Sequence, residues 1–286
     1  MPISTRPLLI LALDYYPGMC NSYFAFINIK AFAAELDSNP TICFLGVKPD
    51  QSSSCSLDSR SWKKLVYSLL YPLKILLCAI PSISPLFQKY YFNPEHGGSL
   101  LDRFIRSPAR IVILRGWGFA DLQLLERHRD KLLLDMGIIS PKTNNHQISA
   151  PKTKTLGVHI RRKDYKQFLN GRFYFSHTTY LSWIDHARTL IGDVEIIFFS
   201  NDPTYVAEHL REQGRIFNGS AKEDLAMLSQ CDYILGPPST FSMWASFIGH
   251  KPAMHMYQYR PTPTDTFVPW QKLLAYNACI DKGTRE

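Results

Sequence analysis

The sequence is most informative first in what it lacks. Its 286 residues contain no uninterrupted apolar run of the ~18 residues that a helix needs to cross a hydrocarbon core. The apolar stretch behind Arg6 stops after six residues at Asp14, with no small-residue cleavage site nearby. It reads as a first buried strand rather than a secretory signal. The six cysteines, at 20, 43, 55, 78, 231 and 279, never fall within four residues of one another, so there is no Cys-x-x-Cys metal or redox pattern. Scattered cysteines of this kind fit free thiols in a reducing cytoplasm. Gly-x-Gly-x-x-Gly is missing, and so is Gly-x-x-x-x-Gly-Lys-Ser/Thr, which argues against dinucleotide oxidoreductases and P-loop NTPases. Asp-x-Asp is also missing, which argues against a diphosphate held through a bridging metal.

What is present supports a globular α/β chain. Apolar residues make up 45% and charged residues 20%, enough for a sizeable core. The net charge of +8 is unevenly spread: residues 1–155 carry 18 basic against 11 acidic side chains, residues 156–286 carry 14 against 13. Apolar runs at 8–14, 41–46 and 110–116 read as strands, and 21–36 and 120–136 as helices. In the second half, strands are expected at 155–160, 194–200, 233–236 and 252–256. Helices are expected at 177–191, after Asp202-Pro203, after Ser220-x-x-Glu223 with its capping-box spacing, and from Ser239 to a stop at Gly249. This alternation favours parallel sheets covered by helices. Residues 137–155, with two prolines and no periodicity, read as a linker. The expected organisation is one α/β domain over 1–150 and another over 151–286.

Residues 60–92 hold five basic and no acidic side chains, with Trp62, Leu65, Val66, Leu69, Leu70 and Leu73 at helical spacing. Two readings fit: an amphipathic helix packed on the core, or one lying on an anionic membrane surface.

Three segments of the second half have residues suited to chemistry. His159-Ile-Arg161-Arg162-Lys163-Asp164-Tyr165 begins at the end of an expected strand, where ligands of open α/β sheets bind. Three successive cations repel one another unless an anion compensates, and a planar guanidinium suits a diphosphate. A solvated basic turn neutralised by Asp164 is the plainer reading. Pro237-Pro238-Ser239-Thr240-Phe241-Ser242 stiffens the approach to a helix whose first N–H groups suit a phosphate, although Ser239 also fits simple capping. Ser200-Asn201-Asp202 ends another strand and also fits turn chemistry. Asp224 fits either a hydrogen-bond acceptor for a base or ribose, or a helix-dipole carboxylate.

Together these pieces resemble glycosyltransferase family 11, the α-1,2-fucosyltransferases. The resemblance rests on 159–165, the 196–202 strand with Ser-Asn-Asp, Asp224-Leu-Ala-Met-Leu-Ser-Gln-Cys231 and Ser239-Thr-Phe-Ser-Met-Trp244-Ala, covering roughly residues 155–257. Arg115-Gly-Trp-Gly-Phe119 is similar to the family segment after its central strand. Two places depart from the pattern: Gly18-Met-Cys-Asn21-Ser is a loose counterpart of a Gly-x-x-Gly-Asn-Gln turn, and Lys163 stands where glycine is frequent.

The resemblance implies a GT-B-like fold, two Rossmann-like domains with parallel sheets facing a cleft, the first on the acceptor side and the second binding the nucleotide sugar. It implies inverting, metal-independent transfer of L-fucose from GDP-L-fucose, with no cofactor, to a hydroxyl of a surface glycan, the galactose 2-OH being the expected acceptor. On that pattern Arg161 and Arg162 hold the diphosphate and His159 positions the loop or donor. Ser239, Thr240 and Phe241 lie on the phosphate side, Ser200, Asn201 and Asp202 line the donor pocket, and Asp224 lies near the guanosine. Asp164 is the candidate base, or else orients the arginines. Oligosaccharides or lipid-linked glycans are the expected acceptors, and the expected location is the cytoplasm, with peripheral contact through 60–92 at the inner face of the plasma membrane. Other readings are a different nucleotide-sugar donor and a non-catalytic basic binder; no nucleic-acid module is recognised, so nucleic acid is not an expected partner.

Overall fold

The computed structural model describes residues 9–12, 18–35, 40–44, 72, 87–91, 110–115, 122–138 and 153–273. The chain divides into two compact units, Met1–Ile139 and Ser140–Glu286.

In the first unit the described elements are β1 (Leu9–Ala12), α1 (Met19–Ala34), β2 (Thr41–Phe44), β3 (Phe87–Tyr91), β4 (Ile111–Arg115) and α2 (Leu122–Asp135). The four strands are all parallel, in the order β2-β1-β4-β3. Their centre is dry: Ile10, Val112 and Ile113 are fully buried, as expected of adjacent β1 and β4 in a parallel sheet. Glu35, at the end of α1, accepts from Arg127 at 3.1 Å and pairs with His128 at 2.6 Å, both on α2. Hydrogen bonding to His128 opposes burial and, with the Arg127 charge, holds the Glu35 carboxyl below its ordinary value. β3 was not expected. It carries Gln88 and Lys89, and as the edge strand it can tolerate polar residues that a central strand would not. Apart from Pro72 and β3, the basic amphipathic segment at 60–92 lies outside the described residues.

The second unit contains β5 (Thr155–Ile160), α3 (His177–Ile191), β6 (Glu195–Ser200), α4 (Pro203–His209), β7 (Arg215–Phe217), α5 (Ala221–Leu228), β8 (Tyr233–Gly236), α6 (Thr240–Gly249) and β9 (Ala253–His255). Its five strands are parallel in the order β7-β6-β5-β8-β9. The chain steps outward from β5 to β6 and β7, then returns to the other side of β5 at β8. This is a doubly wound sheet, with its switch point between β5 and β8. Both units are therefore α/β with parallel sheets, and in each the described strands lie on both sides of the unit's first strand.

Local chemistry explains the elements. Four consecutive buried residues of β6, Ile196–Phe199, suit a strand covered on both faces. Helix α3 buries Tyr180, Trp183, Ile184 and Ala187 at helical spacing, starts on the Ser176 cap and stops at Gly192, whose φ is 80°. Asp202 accepts from the Tyr205 N–H ahead of α4, and Ser220 and Glu223 form the expected capping box ahead of α5.

Helix α6 ends at Gly249 as expected, but the left-handed residue that follows it is His250, with φ 52°. Gly249 is needed for space instead, since a Cβ there would stand 1.9 Å from the Ser229 carbonyl oxygen. A 3-10 turn at Asp164–Lys166 and a tight turn at Phe168–Gly171, in which Leu169 and Asn170 are left-handed, lie in the connection from β5 to α3 and were also not expected.

Candidate functional site

The carboxyl ends of β5, β6 and β8 bring three of the sequence segments to one edge of the second sheet. Strand β5 delivers His159 as its penultimate residue and Arg161 just beyond its end. β6 delivers Ser200, Asn201 and Asp202, and β8 leads through Pro237 and Pro238 to Ser239 at the start of α6. The close approach of β5 and β8 depends on Gly236, where a Cβ would come within 2.8 Å of the His159 carbonyl oxygen.

Arg161 is the centre of the cluster. Its Nε donates to both carboxylate oxygens of Asp164, at 3.1 and 3.0 Å, and its Nη2 donates to Oδ2 at 2.6 Å. Nη1 donates to the Ser239 hydroxyl at 3.0 Å, across the switch point. The guanidinium also lies 4.7 Å from the centre of the Tyr165 ring. Tyr165 is buried, and its hydroxyl donates to the Pro238 carbonyl, tying the β5 loop to the β8 loop a second time.

Asp164 is also bonded by Asn201, whose Nδ2 donates to Oδ1 at 3.3 Å. Partial burial pushes the Asp164 carboxyl up, but the Arg161 hydrogen bonds and charge outweigh this and hold it below the ordinary aspartate value. Asp164 is therefore an anion at neutral pH, and a weakly basic one.

Arg162 faces different partners. Its backbone N–H donates to Asn201 Oδ1 at 2.9 Å. Its guanidinium is sandwiched between Tyr205, 3.6 Å from the ring centre, and Tyr174, 4.1 Å away, and it donates to the Phe175 carbonyl and the Tyr174 hydroxyl. Its side chain is 12% exposed, against 32% for Arg161. The two neighbouring arginines thus differ: Arg161 lies at an accessible edge, and Arg162 fills an aromatic slot that carries the β5 loop. Tyr174 and Tyr205 lie 12 and 43 residues from Arg162, distances at which no sequence spacing reports a cage.

The remaining candidates divide as follows. His159 is buried, with its ring 4.9 Å from that of Phe241 and its Nδ1 without a hydrogen-bond partner. Burial foremost, and then the Arg161 charge, pull its pKa down to about 3, so the imidazole is neutral. The Ser239 hydroxyl accepts from Arg161 and from the Phe241 N–H, so capping and site construction share one oxygen. Thr240 and Phe241 form the first turn of α6. Ser200 Oγ accepts from the Asp202 N–H, and Asp202 caps α4 with its carboxylate 4.0 Å from Arg162 Nε. Asp224 stands apart at the start of α5, beyond β7, accepting from the Gly219 N–H at 3.1 Å. Burial raises its pKa more than that hydrogen bond lowers it.

A rigidly oriented guanidinium beside a helix opening can hold an anionic, phosphate-like group. Among the described residues no group of three or more His, Cys, Asp or Glu side chains is placed to hold a metal ion. None of their helices is long and apolar enough to cross a membrane.

Comparison with known proteins fits this geometry. The family model described as Glycosyl transferase family 11 matches residues 127–269, half of the chain, including every candidate side chain above. No curated protein matches the chain. Among solved structures, Arabidopsis thaliana FUT1, determined as a mutant in complex with GDP, is similar over 93% of this chain and 73% of its own, with 12% identity and a TM-score of 0.54. The fucosyltransferase NodZ from Bradyrhizobium is similar over 93% of this chain and 99% of its own, with 13% identity and a TM-score of 0.51. NodZ alpha-1,6-fucosyltransferase co-crystallised with GDP gives the same values. At such identities the likeness concerns the fold.

Proposed function

The chain belongs to glycosyl transferase family 11, and from that premise we propose that it moves L-fucose from GDP-fucose onto a hydroxyl of a surface glycan, inverting the anomeric centre without a metal ion. The galactose 2-hydroxyl is the acceptor we assign, and a GT-B arrangement of two Rossmann-like domains is the architecture. The observation that carries the reading is Arg161, fixed between Asp164 and Ser239 at the switch point of a doubly wound sheet. That two proteins of similar fold, Arabidopsis thaliana FUT1 and NodZ, were determined with GDP supports the nucleotide.

In this reaction the acceptor oxygen bonds to the anomeric carbon as the bond to the β-phosphate oxygen breaks. GDP leaves with the bonding electrons, and the acceptor hydroxyl gives up its proton to water or to the departing diphosphate. Charge grows on the departing diphosphate, so a guanidinium and N–H dipoles already aimed there favour the transition state over the ground state. We assign the diphosphate to Arg161 and to the first turn of α6 with Ser239, Thr240 and Phe241. Asp224 takes the guanosine side, and Ser200, Asn201 and Asp202 the pocket wall. Arg162 supports the loop rather than gripping phosphate, and neutral His159 packs against Phe241. Asp164 is given the task of orienting Arg161, because a carboxylate bound by three guanidinium contacts is a poor proton acceptor.

Calorimetric titration of GDP against UDP, followed by transfer from GDP-fucose to a β-galactoside with and without EDTA, tests this proposal. We expect preference for GDP and turnover indifferent to chelation. Equal affinity for UDP, or turnover that requires magnesium, would sink it. We further propose that the enzyme works at the inner face of a membrane through residues 60–92. Liposome pelleting that persists after Lys63, Lys64 and Lys74 are replaced by glutamine would count against this placement.

A further inference from the structure

A line of polar groups runs from β9 to the start of α6 and reaches the residues assigned above at Ser239. The Ser242 hydroxyl donates to the Ser239 carbonyl at 3.0 Å. Having used its one proton there, Ser242 Oγ accepts at 2.9 Å from His255, which fixes the imidazole as the Nε2–H tautomer. The bare Nδ1 then faces the Tyr257 hydroxyl at 3.5 Å, a long contact in which the tyrosine donates. Ser242 is fully buried and His255 nearly so. Burial pulls the His255 pKa down to about 3, so the ring stays neutral and the direction of every hydrogen bond is kept at physiological pH.

The line ends on the peptide group that opens α6. The Ser239 carbonyl accepts from both Ser242 Oγ and the Met243 N–H, the latter at 3.1 Å. Because the Ser239–Thr240 peptide is planar and trans, a carbonyl held toward the helix leaves the Thr240 N–H pointing the opposite way, off the open helix end. The Ser239 side chain is fixed separately by Arg161 and the Phe241 N–H. Carbonyl and hydroxyl of one residue are thus held from opposite sides.

We infer that His255, acting through Ser242, is a positioning residue for the diphosphate: it sets the Ser239–Thr240 peptide so that the Thr240 N–H meets the phosphate beside Arg161. This rests on the donor reading above and adds residues to it. The chain from imidazole to hydroxyl to carbonyl has one function at the helix opening, which is to fix an angle. It therefore affects recognition of the diphosphate and not of the nucleoside.

The test is calorimetric, with GDP, guanosine and inorganic pyrophosphate as probes. Ser242→Ala removes the relay with little demand on the fold, and we expect it to weaken GDP and pyrophosphate about 10-fold while guanosine is unchanged. His255→Leu should do the same. His255→Gln, whose amide N–H can stand where Nε2–H stood, should stay within about 3-fold of the wild type. Wild-type GDP affinity in Ser242→Ala, or equal losses for GDP and guanosine, overturns the inference alone. A wild-type protein that binds neither GDP nor pyrophosphate overturns the donor reading, and this inference with it.

Discussion

Arg161 and Arg162 are neighbours in sequence with the same side chain, yet their surroundings differ. Arg161 is oriented by a carboxylate and a hydroxyl and remains a third exposed, whereas Arg162 is closed between two tyrosines. Arg161→Ala should therefore weaken GDP by about 10- to 100-fold, the range of one to two charge-assisted hydrogen bonds. Asp164→Asn should weaken GDP by about 10-fold as well, because an amide cannot hold the guanidinium as a carboxylate does. Titrating GDP into both variants, alongside turnover, checks the assignment. Unchanged GDP affinity in Asp164→Asn with turnover abolished would make Asp164 the base after all. The arginine pair was legible from sequence because consecutive cations at a strand end are unusual. The difference in their surroundings was not, since it depends on Tyr174 and Tyr205, which reach Arg162 only in the folded chain.

At the scale of elements, helix starts were the most legible features and edge strands the least. A start is written in a short local code, as in Asp202-Pro203 and Ser220-x-x-Glu223, and each of those caps forms with the expected partners. The end of α6 follows tertiary packing: Gly249 is set by the Ser229 carbonyl from the α5–β8 connection, and His250 takes the left-handed turn. β3 and β7 were missed because edge strands of five and three residues carry polar side chains and little alternation. The packing argument predicts that Gly249→Ala, usually a mild change in a helix, destabilises the protein by about 2 kcal/mol through the forced contact. Urea unfolding checks it: a midpoint equal to that of the wild type would show that the helix end moves aside at no cost.

At the scale of the molecule, the candidate site and the core that carries it belong to the same unit. The buried cluster running from Leu156 to Met256 draws on β5, α3, β6, α4, β8 and β9, and its side chains all come from residues 156–256. Arg161, Asp164, Asn201 and Ser239 hang from the ends of those strands. A unit with its own core and short connections is expected to fold alone. The excess charge of residues 1–155 is a separate property, since the cations at the site are local to one loop. We therefore predict that residues 140–286, expressed alone, melt cooperatively and bind GDP within about 10-fold of the full chain, because the donor contacts assigned here lie within that unit. The same fragment should transfer no sugar to a galactoside, because acceptor contacts are assigned to the first unit. Circular dichroism establishes folding, calorimetry the affinity and a transfer assay the activity. A folded fragment that fails to bind GDP would show that contacts from residues 1–139 are indispensable to the donor, and a fragment that transfers fucose would place the acceptor site within residues 140–286.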